Sequence, residues 1–287
     1  MATINPGYMG WAKFGDTQFR FESSSVAAKQ EINAPDLVTG YWRRMAYNYG
    51  KIDISGTISG PVTESFSAAG TGMWDKATTR GSCGELDEES LEIHYFCSTD
   101  SNSTWSWPAA KVNSLTFSCS AGDVANFSMD IIAAQAGTVA PEAGTFEDIE
   151  KLVTWDKVTL EVAPGGDAGQ TFDQTNFSNF EVTFANNVEA HYAMKNTESD
   201  LYPFALVDGI TTITGSLSVY NIPGMYGADN WDAYASDRIG TLSFNVGSGI
   251  QTLNVRWHRV EPAASVGPII STVAFTGVGK QLSDLNI

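Results

Sequence analysis

The sequence of 287 residues predicts an all-β protein with one or two short helices, built from two tandem units. Three observations support this prediction: polar and apolar residues alternate along most of the chain, short motifs recur in the same order, and helical spacing is scarce. Alternation with a period of two is typical of antiparallel strands that bury one face and expose the other. The length is sufficient for two domains of about 140 residues each.

The strands are predicted one by one from this alternation. From Lys51 to Gly60, polar side chains alternate with isoleucine and glycine over ten residues. The same pattern predicts strands at 114–120, 158–162, 242–246 and 253–258. Ser and Thr together number 53, so much of the exposed face is expected to carry hydroxyl groups.

Helices are predicted at only two places. Asn230 to Asp237 would align Trp231 and Tyr234 on one face of a short helix. A second candidate runs from Glu85 to His94 and is strongly acidic.

Internal repetition is the most informative pattern. The segment Ile54–Ser59 recurs as Ile213–Ser218 at an offset of 159, and a Trp-Asp pair at Trp74 recurs at Trp231 at an offset of 157. Leu115-Thr116-Phe117 matches Leu242-Ser243-Phe244 at an offset of 127, and Trp11–Phe14 resembles Trp155–Val158. The ordered matches indicate two copies of one β-rich unit.

The two units are assigned to residues 1–150 and 151–287. Because the offset falls by 30 after the Trp-Asp pair, the first unit is expected to carry an insertion at about 82–110. Extra chain is tolerated best at a surface, so this acidic insertion is expected to decorate the exterior. The recurring Trp74 and Trp231 are interpreted as core anchors of their units.

A family resemblance follows from particular residues. The stretch 177–189, Phe-Ser-Asn-Phe-Glu-Val-Thr-Phe-Ala-Asn-Asn-Val-Glu, precedes Tyr202-Pro203 and then Ile213-Thr214-Gly215-Ser216-Leu217. This order resembles the tail tube proteins of long-tailed bacteriophages, which carry a strand ending in an Asn-Asn-x-Glu turn, a long loop and a Thr-Gly-Ser-Leu strand. In the first unit Phe19 to Val26, Pro35 to Gly40 and the Ile-Ser-Gly-Thr-Ile strand are similar, but the Asn-Asn turn is missing.

The resemblance implies a structural virion protein without catalysis. Each unit would be a tube-type β-sandwich or barrel that contributes four strands to an inner barrel shared around a ring. Two fused units imply homotrimeric rings with pseudo-sixfold symmetry, with hexameric rings as the alternative, stacked into a tube through which viral DNA passes without specific binding. The implied partners are further copies of the chain and the tape measure, terminator and distal tail proteins, with assembly in the host bacterial cytoplasm and no membrane.

Charge agrees with this interpretation. Sixteen basic and 33 acidic residues give a net charge of −17, which disfavours binding to phosphate backbones and anionic membranes. Neither a signal peptide nor a spanning helix is expected. A channel lined by hydroxyls and carboxylates would not retain DNA; alternatively, the acidic residues lie outside and keep the free subunit soluble.

Contacts between rings or subunits are predicted in two loops. The loop at 33–49 concentrates residue types that are enriched in the buried centres of interfaces, namely Tyr41, Trp42, Arg43, Arg44 and Tyr47. In the second unit Leu201, Tyr202 and Phe204 are expected to do the same.

No catalytic, metal or cofactor site is predicted. The acidic run at 85–89 is interpreted as solvated surface, His94, His191 and His258 are isolated, and Cys83, Cys97 and Cys119 show no metal-site spacing. A carbohydrate-binding β-sandwich remains the alternative function, because Trp105 and Trp107 would share one face of a strand and could stack on sugars.

Overall fold

The computed structural model describes residues 10–33, 48–64, 66, 72–81, 84–94, 104–137, 152–163, 172–173, 175, 177–193, 201–220, 239–246, 249–258 and 270–278. Strands dominate these ranges. The strands are β1 (Trp11–Phe14), β2 (Thr17–Arg20), β3 (Ser23–Ser24), β4 (Ala27–Asn33), β5 (Asn48–Pro61), β6 (Glu89–His94), β7 (Thr104–Ser120), β8 (Asn126–Gly137), β9 (Thr159–Ala163), β10 (Phe172–Asp173), β11 (Phe177–Ala185), β12 (Glu189–His191), β13 (Ala205–Val207), β14 (Thr212–Tyr220), β15 (Ile239–Asn245), β16 (Ile250–Trp257) and β17 (Ile270–Gly277). The helix α1 spans Met73–Thr78, and a short 3-10 turn spans Trp155–Lys157.

The predicted all-β class is confirmed. The five strands predicted from alternation correspond to β5, β7, β9, β15 and β16. Fifteen strands form one antiparallel sheet, and β12 and β13 pair separately as a hairpin. The predicted helix at Asn230–Asp237 lies outside the described residues, as does Trp231.

Strand pairing follows the same order in the two halves of the chain. The N-terminal half pairs as β4-β5-β8-β7-β6-β1-β2, and the C-terminal half pairs as β11-β14-β17-β16-β15-β9-β10. The halves are joined where β11 pairs with the second part of β7, from Ala185 opposite Ser114 to Asn179 opposite Ser120. One run of eight strands, β4-β5-β8-β7-β11-β14-β17-β16, therefore passes through both halves.

The core lies on the apolar face of this eight-strand run. The alternating residues Ile54, Ile58, Leu115, Phe117 and Phe184 are at most 2% exposed. The outer strands β6, β1 and β15 and the helix α1 cover this face. Trp74 of α1 is 6% exposed and reaches both halves, because its ring meets Phe117, Phe184 and Phe244 at centroid distances of 5.9, 4.2 and 5.1 Å.

The expected surface insertion at 82–110 is wrong. Strand β6 and the first part of β7 lie in this range and complete the outer sheet, with β6 hydrogen-bonded to both β1 and β7. Leu91, Ile93, Trp107 and Ala110 are at most 2% exposed, so this segment supplies core side chains. The expectation depended on matching Leu115–Phe117 to β15, whereas in the pairing order β15 holds the position in the C-terminal half that β6 holds in the N-terminal half.

The helix expected from Glu85 to His94 is also wrong, because residues 89–94 form β6. Leu91 and Ile93 are buried two residues apart, which is the period of a strand. Hydrogen bonds to a strand on each side outweigh the weak helical preference of the local sequence.

Two glycines at matched positions allow close packing in the two halves. A Cβ atom on Gly56 of β5 would lie 2.5 Å from the Cα of Val26, and one on Gly215 of β14 would overlap the carbonyl oxygen of Glu181 and the ring of Phe275. Both glycines follow the repeated isoleucines by two residues. Packing against backbone and a buried ring leaves no room for a side chain.

We therefore expect Gly215→Ala to lower the free energy of unfolding by about 1–3 kcal/mol, because a methyl group there forces the packed strands apart. Urea denaturation of the purified protein measures this change. Ser216→Ala is the matched control, since Ser216 lies on the opposite, half-exposed face of the same strand. Equal denaturation midpoints for Gly215→Ala and the parent protein would contradict the packing argument.

Candidate functional site

The polar face of the central strands is lined by hydroxyl groups. On β5, β8, β7, β11, β14 and β17 the residues opposite the core are mostly serine and threonine, and the strand registers place them side by side. We call this surface the hydroxyl face; its members are Ser55, Thr57, Ser59, Ser128, Ser114, Thr116, Ser118, Ser120, Thr183, Thr212, Thr214, Ser216, Ser218, Thr272 and Thr276.

Hydrogen bonds across the strands hold several of these hydroxyls in place. The hydroxyls of Thr116 and Thr183 lie 2.8 Å apart across the β7–β11 junction. Asp130 of β8 accepts hydrogen bonds from Thr57 at 2.6 Å and from Ser114 at 2.8 Å. Such cross-strand pairs stabilise the sheet and leave fewer donors free for an external ligand.

Carboxylates are the charges that the hydroxyl face presents. Asp130 and Glu181 lie within it. Among the described residues of its six strands, the basic side chains are Lys51 and Lys111. Lys51 lies at the start of β5, 3.2 Å from Asp53 and 3.9 Å from Glu31, and Lys111 is buried against Asp208. The face as a whole is therefore polar and weakly acidic.

The β12–β13 hairpin, called the arm below, crosses from the C-terminal half onto the N-terminal half. Val188 and Leu206 of the arm region form a small buried cluster with Leu86 and Ala134. The hydroxyl of Tyr192 donates its one proton to Asp53 and also lies 3.1 Å from the carbonyl oxygen of Ile52. Burial, together with this hydrogen bond and the charge of Asp53, raises the pKa of Tyr192 above its ordinary value.

Beside the arm, one buried carboxylate balances two buried cations. Asp208 accepts hydrogen bonds from Lys111, at 2.9 Å, from the Arg80 guanidinium, and from the backbone N–H of Leu86 at 3.3 Å. The side chains of Arg80, Lys111 and Asp208 are 7%, 5% and 5% exposed. A buried ion pair with its hydrogen bonds completed fixes one relative position of the groups that it joins.

Opposing effects set the protonation of Asp208. Burial on its own raises the pKa of the carboxyl, but the hydrogen bond and positive charge of Lys111 lower it. The N–H of Leu86 and the guanidinium of Arg80 lower it further, and the resulting pKa lies below the ordinary value of 3.8. Asp208 is thus ionised near neutral pH.

Asn186 extends this network into the core. Its side-chain amide donates hydrogen bonds to the carbonyl oxygens of Ala77, at 2.8 Å, and Val112, at 3.0 Å, and its oxygen accepts one from Thr211 at 3.0 Å. Asn187 has a φ of 52°, a left-handed conformation that asparagine tolerates better than most residues. The Asn-Asn pair therefore ends β11 and connects α1, β7 and the arm.

The roles of Arg80, Lys111 and Asp208 were not predicted from the sequence. Two signals were present in the sequence: Lys111 interrupts an otherwise uncharged strand, and Arg80 follows the repeated Trp-Asp pair. Their association with Asp208 depends on residues 128 and 97 positions apart, which no local pattern indicates.

The predicted contact residues are partly described. Tyr41, Trp42, Arg43, Arg44 and Tyr47 lie outside the described residues. Tyr202 packs against the core and Leu201 is half-buried, whereas Phe204 is 60% exposed. Val207 and Ile210 are 50% and 85% exposed, so this side of the arm presents apolar side chains to solvent.

Tryptophan geometry bears on the carbohydrate-binding alternative. Trp105 and Trp107 do share a face of β7, with ring centroids 6.4 Å apart and planes 14° apart. Trp107 is only 2% exposed, however, while Trp105 is 55% exposed. One exposed ring does not make the paired stacking platform on which that alternative rested.

Among the described residues, the titratable side chains outside the network form no reaction centre. His94 is buried and stacks on Trp11 with ring centroids 3.9 Å apart, and Cys119 is a free buried thiol whose pKa burial and the charge of Asp123 raise to about 11. Within the described ranges, no group of three or more His, Cys, Asp or Glu residues is placed to hold a metal ion. The described part of the chain also holds no helix long and apolar enough to span a membrane.

Comparison with known proteins adds a family match. The model of the phage tail tube protein family matches residues 3–277. A search of curated proteins found no match.

Three solved structures are similar over about half of the chain, each at 18% identity. A sheath/tube terminator of an extracellular contractile injection system covers 48% of this chain and 99% of its own, with a TM-score of 0.38. The tube-terminating cap of the anti-feeding prophage covers 49% and 93%, with a TM-score of 0.35. A sheath–tube complex of an extracellular contractile injection system covers 47% and 90%, with a TM-score of 0.34.

Replacing Asp208 by asparagine is expected to lower the free energy of unfolding by about 3–5 kcal/mol at pH 7, because two buried cations lose their counter-charge. The stabilisation is present above the ordinary carboxyl pKa and is lost as pH falls through the lowered folded-state pKa. The parent protein should therefore lose more stability than Asp208→Asn between about pH 5 and pH 2.

Urea denaturation at several pH values measures both effects. Glu64→Gln is the control, because Glu64 pairs with Lys157 at 3.5 Å on the surface and both side chains are more than 40% exposed. Its loss should cost at most about 1 kcal/mol. Equal costs for the two substitutions would show that the Asp208 pairs contribute no more than surface pairs do.

Proposed function

This chain belongs to the phage tail tube protein family, and from that membership we propose that its copies assemble into stacked rings that form the channel for genome passage. The protein is a structural component of a phage tail. We place its action in assembly and in the surface that it presents to DNA, and not in catalysis. The single observation that carries the proposal beyond the family is the eight-strand run with a polar face and an open edge.

Strand edges supply the driving force for ring closure. Within the chain, β11 of the C-terminal half satisfies the edge of β7 in the N-terminal half. Among the described residues β4 pairs on one side only, with β5, so its outer edge is open. An open edge exposes unpaired N–H and C=O groups that favour pairing with another chain. In the pairing order β4 corresponds to β11, and β16 corresponds to β7. If the β7–β11 junction is repeated between copies, β4 of one copy pairs at the end of β16 of the next.

The repeated pairing order supports two fused units in each chain. Residues 152–154 still hydrogen-bond to the first unit, since the Val153 N–H donates to the carbonyl of Val62 and Ala125 donates to the carbonyl of Val153. We therefore place the boundary near residue 157, a few residues beyond the one expected from sequence. Three such chains give six units in a ring, whereas six chains would double its circumference.

Ring size follows from strand geometry. Three chains that each contribute eight strands give about 24 strands, and with strands about 4.8 Å apart and tilted by about 40° the barrel has a backbone diameter of roughly 48 Å. This diameter accommodates a duplex and the side chains that line the wall. We favour the trimeric ring on this ground.

The hydroxyl face is the surface that we assign to the channel. It presents hydroxyls, Asp130 and Glu181, while Lys51 and Lys111 are paired with carboxylates. On the six strands of this face no cation among the described residues is left unpaired, so the face offers the DNA phosphates no counterion release and the duplex does not adhere to it during passage. The opposite face is the protein core and is unavailable for this role.

The remaining contacts are assigned by position. We propose that the 33–49 loop, with Tyr41, Trp42, Arg43, Arg44 and Tyr47, and the exposed Phe204 beside Leu201 and Tyr202 contact neighbouring subunits or rings. Tape measure, terminator and distal tail proteins would meet the tube interior and its two ends. Trp231 is proposed to anchor the second core as Trp74 does the first, and assembly is proposed to occur in the host cytoplasm.

Purified protein is expected to form rings or tubes that negative-stain electron microscopy can image, because the open edge of β4 finds its partner in a second copy. Sedimentation velocity at increasing concentration gives the size of the smallest closed species, which we expect to be a trimer. A chain that stays a single 30.9 kDa species at high concentration would contradict the proposal.

Cysteine labelling tests whether the hydroxyl face lines the channel. In a background with Cys83 and Cys97 changed to serine, Thr183→Cys should react with a small maleimide in tubes but be protected from a polymer-linked maleimide. Arg20→Cys, on the exposed end of the outer strand β2, should react with both reagents and serves as the control. The buried Cys119, with a pKa of about 11, should contribute little labelling at pH 7. Equal polymer labelling of both variants in tubes would place the hydroxyl face outside.

A further inference from the structure

Exposed apolar side chains lie at two opposite ends of the strands that join the units. In the described part of the chain, the exposed large apolar side chains are Trp105, Leu152, Trp155, Phe204, Val207, Ile210 and Ile250. Phe204, Val207 and Ile210 lie on the arm and in the turn that follows it, whereas Leu152 and Trp155 lie near the C-terminal end of β7. Groups of exposed apolar side chains are typical of surfaces that bind another molecule.

Strand register shows how far apart these two surfaces are. The join of β7 with β11 extends from Ser114 to Ser120 of β7, a distance of about 20 Å. The arm follows β11 at the Ser114 end, because Ala185 lies opposite Ser114. At the other end, the N–H of Trp155 donates a hydrogen bond to the carbonyl oxygen of Asp123, just beyond β7. The two apolar surfaces are therefore separated by the length of the join and do not meet within one chain.

A cavity opens beside Trp155. It lies between the end of β7 and the starts of β9 and β11, and its wall includes Cys119, Leu160, Phe177, Phe180 and Trp155. The cavity encloses about 290 Å³, counting the part that is open to solvent. Three of the lining side chains are aromatic, and aromatic rings pair favourably with one another. We call this site the rim cavity.

We propose that Phe204 of one copy inserts into the rim cavity of a second copy in the next ring. The inference rests on the proposed tube and names the surfaces through which its rings stack. Phe204 is 60% exposed, and Val207 and Ile210 near it would then lie against the exposed Trp155. An apolar patch that fits a cavity elsewhere on the same molecule joins copies head to tail, and such contacts extend into a filament when they do not close. Stacked rings require a contact of this open kind.

The position of both surfaces relative to the channel makes a second copy the occupant. The hydroxyl face extends along the same strands, so the arm lies at one rim of the proposed channel and the rim cavity lies at the other. Rings that stack in one direction bring these two rims together. Pairing within a ring uses the edges of the sheet and leaves both rims available. Each ring repeats the contact in every copy, so that contacts which are weak singly strengthen one another.

Shortening Phe204 tests the contact. Phe204→Ser should lower the mean number of rings per tube about tenfold or more while rings still form, because stacking loses its buried ring and the strand pairing within a ring does not change. Trp105→Ser is the matched control, since Trp105 is similarly exposed but lies in the outer sheet, and its tubes should be as long as those of the parent. Negative-stain electron microscopy counts the rings, and circular dichroism establishes that each variant is folded. Tubes of parental length from Phe204→Ser would overturn the contact.

Cross-linking tests which surfaces meet. In a background with Cys83 and Cys97 changed to serine, the double variant Val207→Cys with Asp156→Cys leaves Phe204 intact and places one thiol at each rim. Both positions are exposed. In tubes, a short bis-maleimide should join this variant into a ladder of multimers, because each copy is linked to the ring above it and to the ring below it. Val207→Cys alone should remain monomeric on a denaturing gel.

The outcomes separate the contact from the tube. Dimers from Val207→Cys alone would show that arms meet arms and would overturn head-to-tail stacking. Tubes of the double variant that give no ladder would overturn the rim cavity as the acceptor and leave the proposed tube intact. Failure of the parent chain to form rings would instead overturn the proposed function.

Discussion

Hydrogen bonding along the edges of β7 is the constraint on which the rest of the structure depends. This strand of 17 residues pairs with β8 along one edge and divides its other edge between β6 and β11. Its first part therefore belongs to the outer sheet of one unit, and its second part joins the two units. Because the join uses backbone groups, it also defines how a further copy can add to the open edge of β4.

Register at this join is secured by buried groups on both sides of the sheet. On the apolar side Trp74 contacts Phe117 from one unit and Phe184 and Phe244 from the other. On the polar side Asp208 joins Arg80 and Lys111. At the end of β11, Asn186 reaches into the core and binds carbonyls of Ala77 and Val112. A slip of one residue would turn phenylalanines to the polar side and hydroxyls to the core, so these contacts exclude it.

The function proposed for this protein depends on the surface that its central strands present. A smooth channel needs a wall that is polar enough to stay wet and that lacks free cations. Serine and threonine meet that need, since their short side chains bind one another across strands, as Thr116 and Thr183 do at 2.8 Å. The basic residues of β5 and β7, Lys51 and Lys111, are paired with carboxylates at the start of β5 and beneath the arm.

The sequence by itself determined the all-β class, five of the strands, the hydroxyl character of the exposed face and the family, because strand alternation and the Asn-Asn and Gly motifs are local patterns. It failed at residues 82–110, where a motif match suggested a surface insertion, because β6 pairs with β1, which is distant in the sequence, and with β7 in a register that no local pattern specifies. Only the tertiary structure brought Asp208 to Arg80 and Lys111. Which side chains meet depends on how distant strands pair, and that pairing is determined by the sheet as a whole and not by any local stretch of sequence.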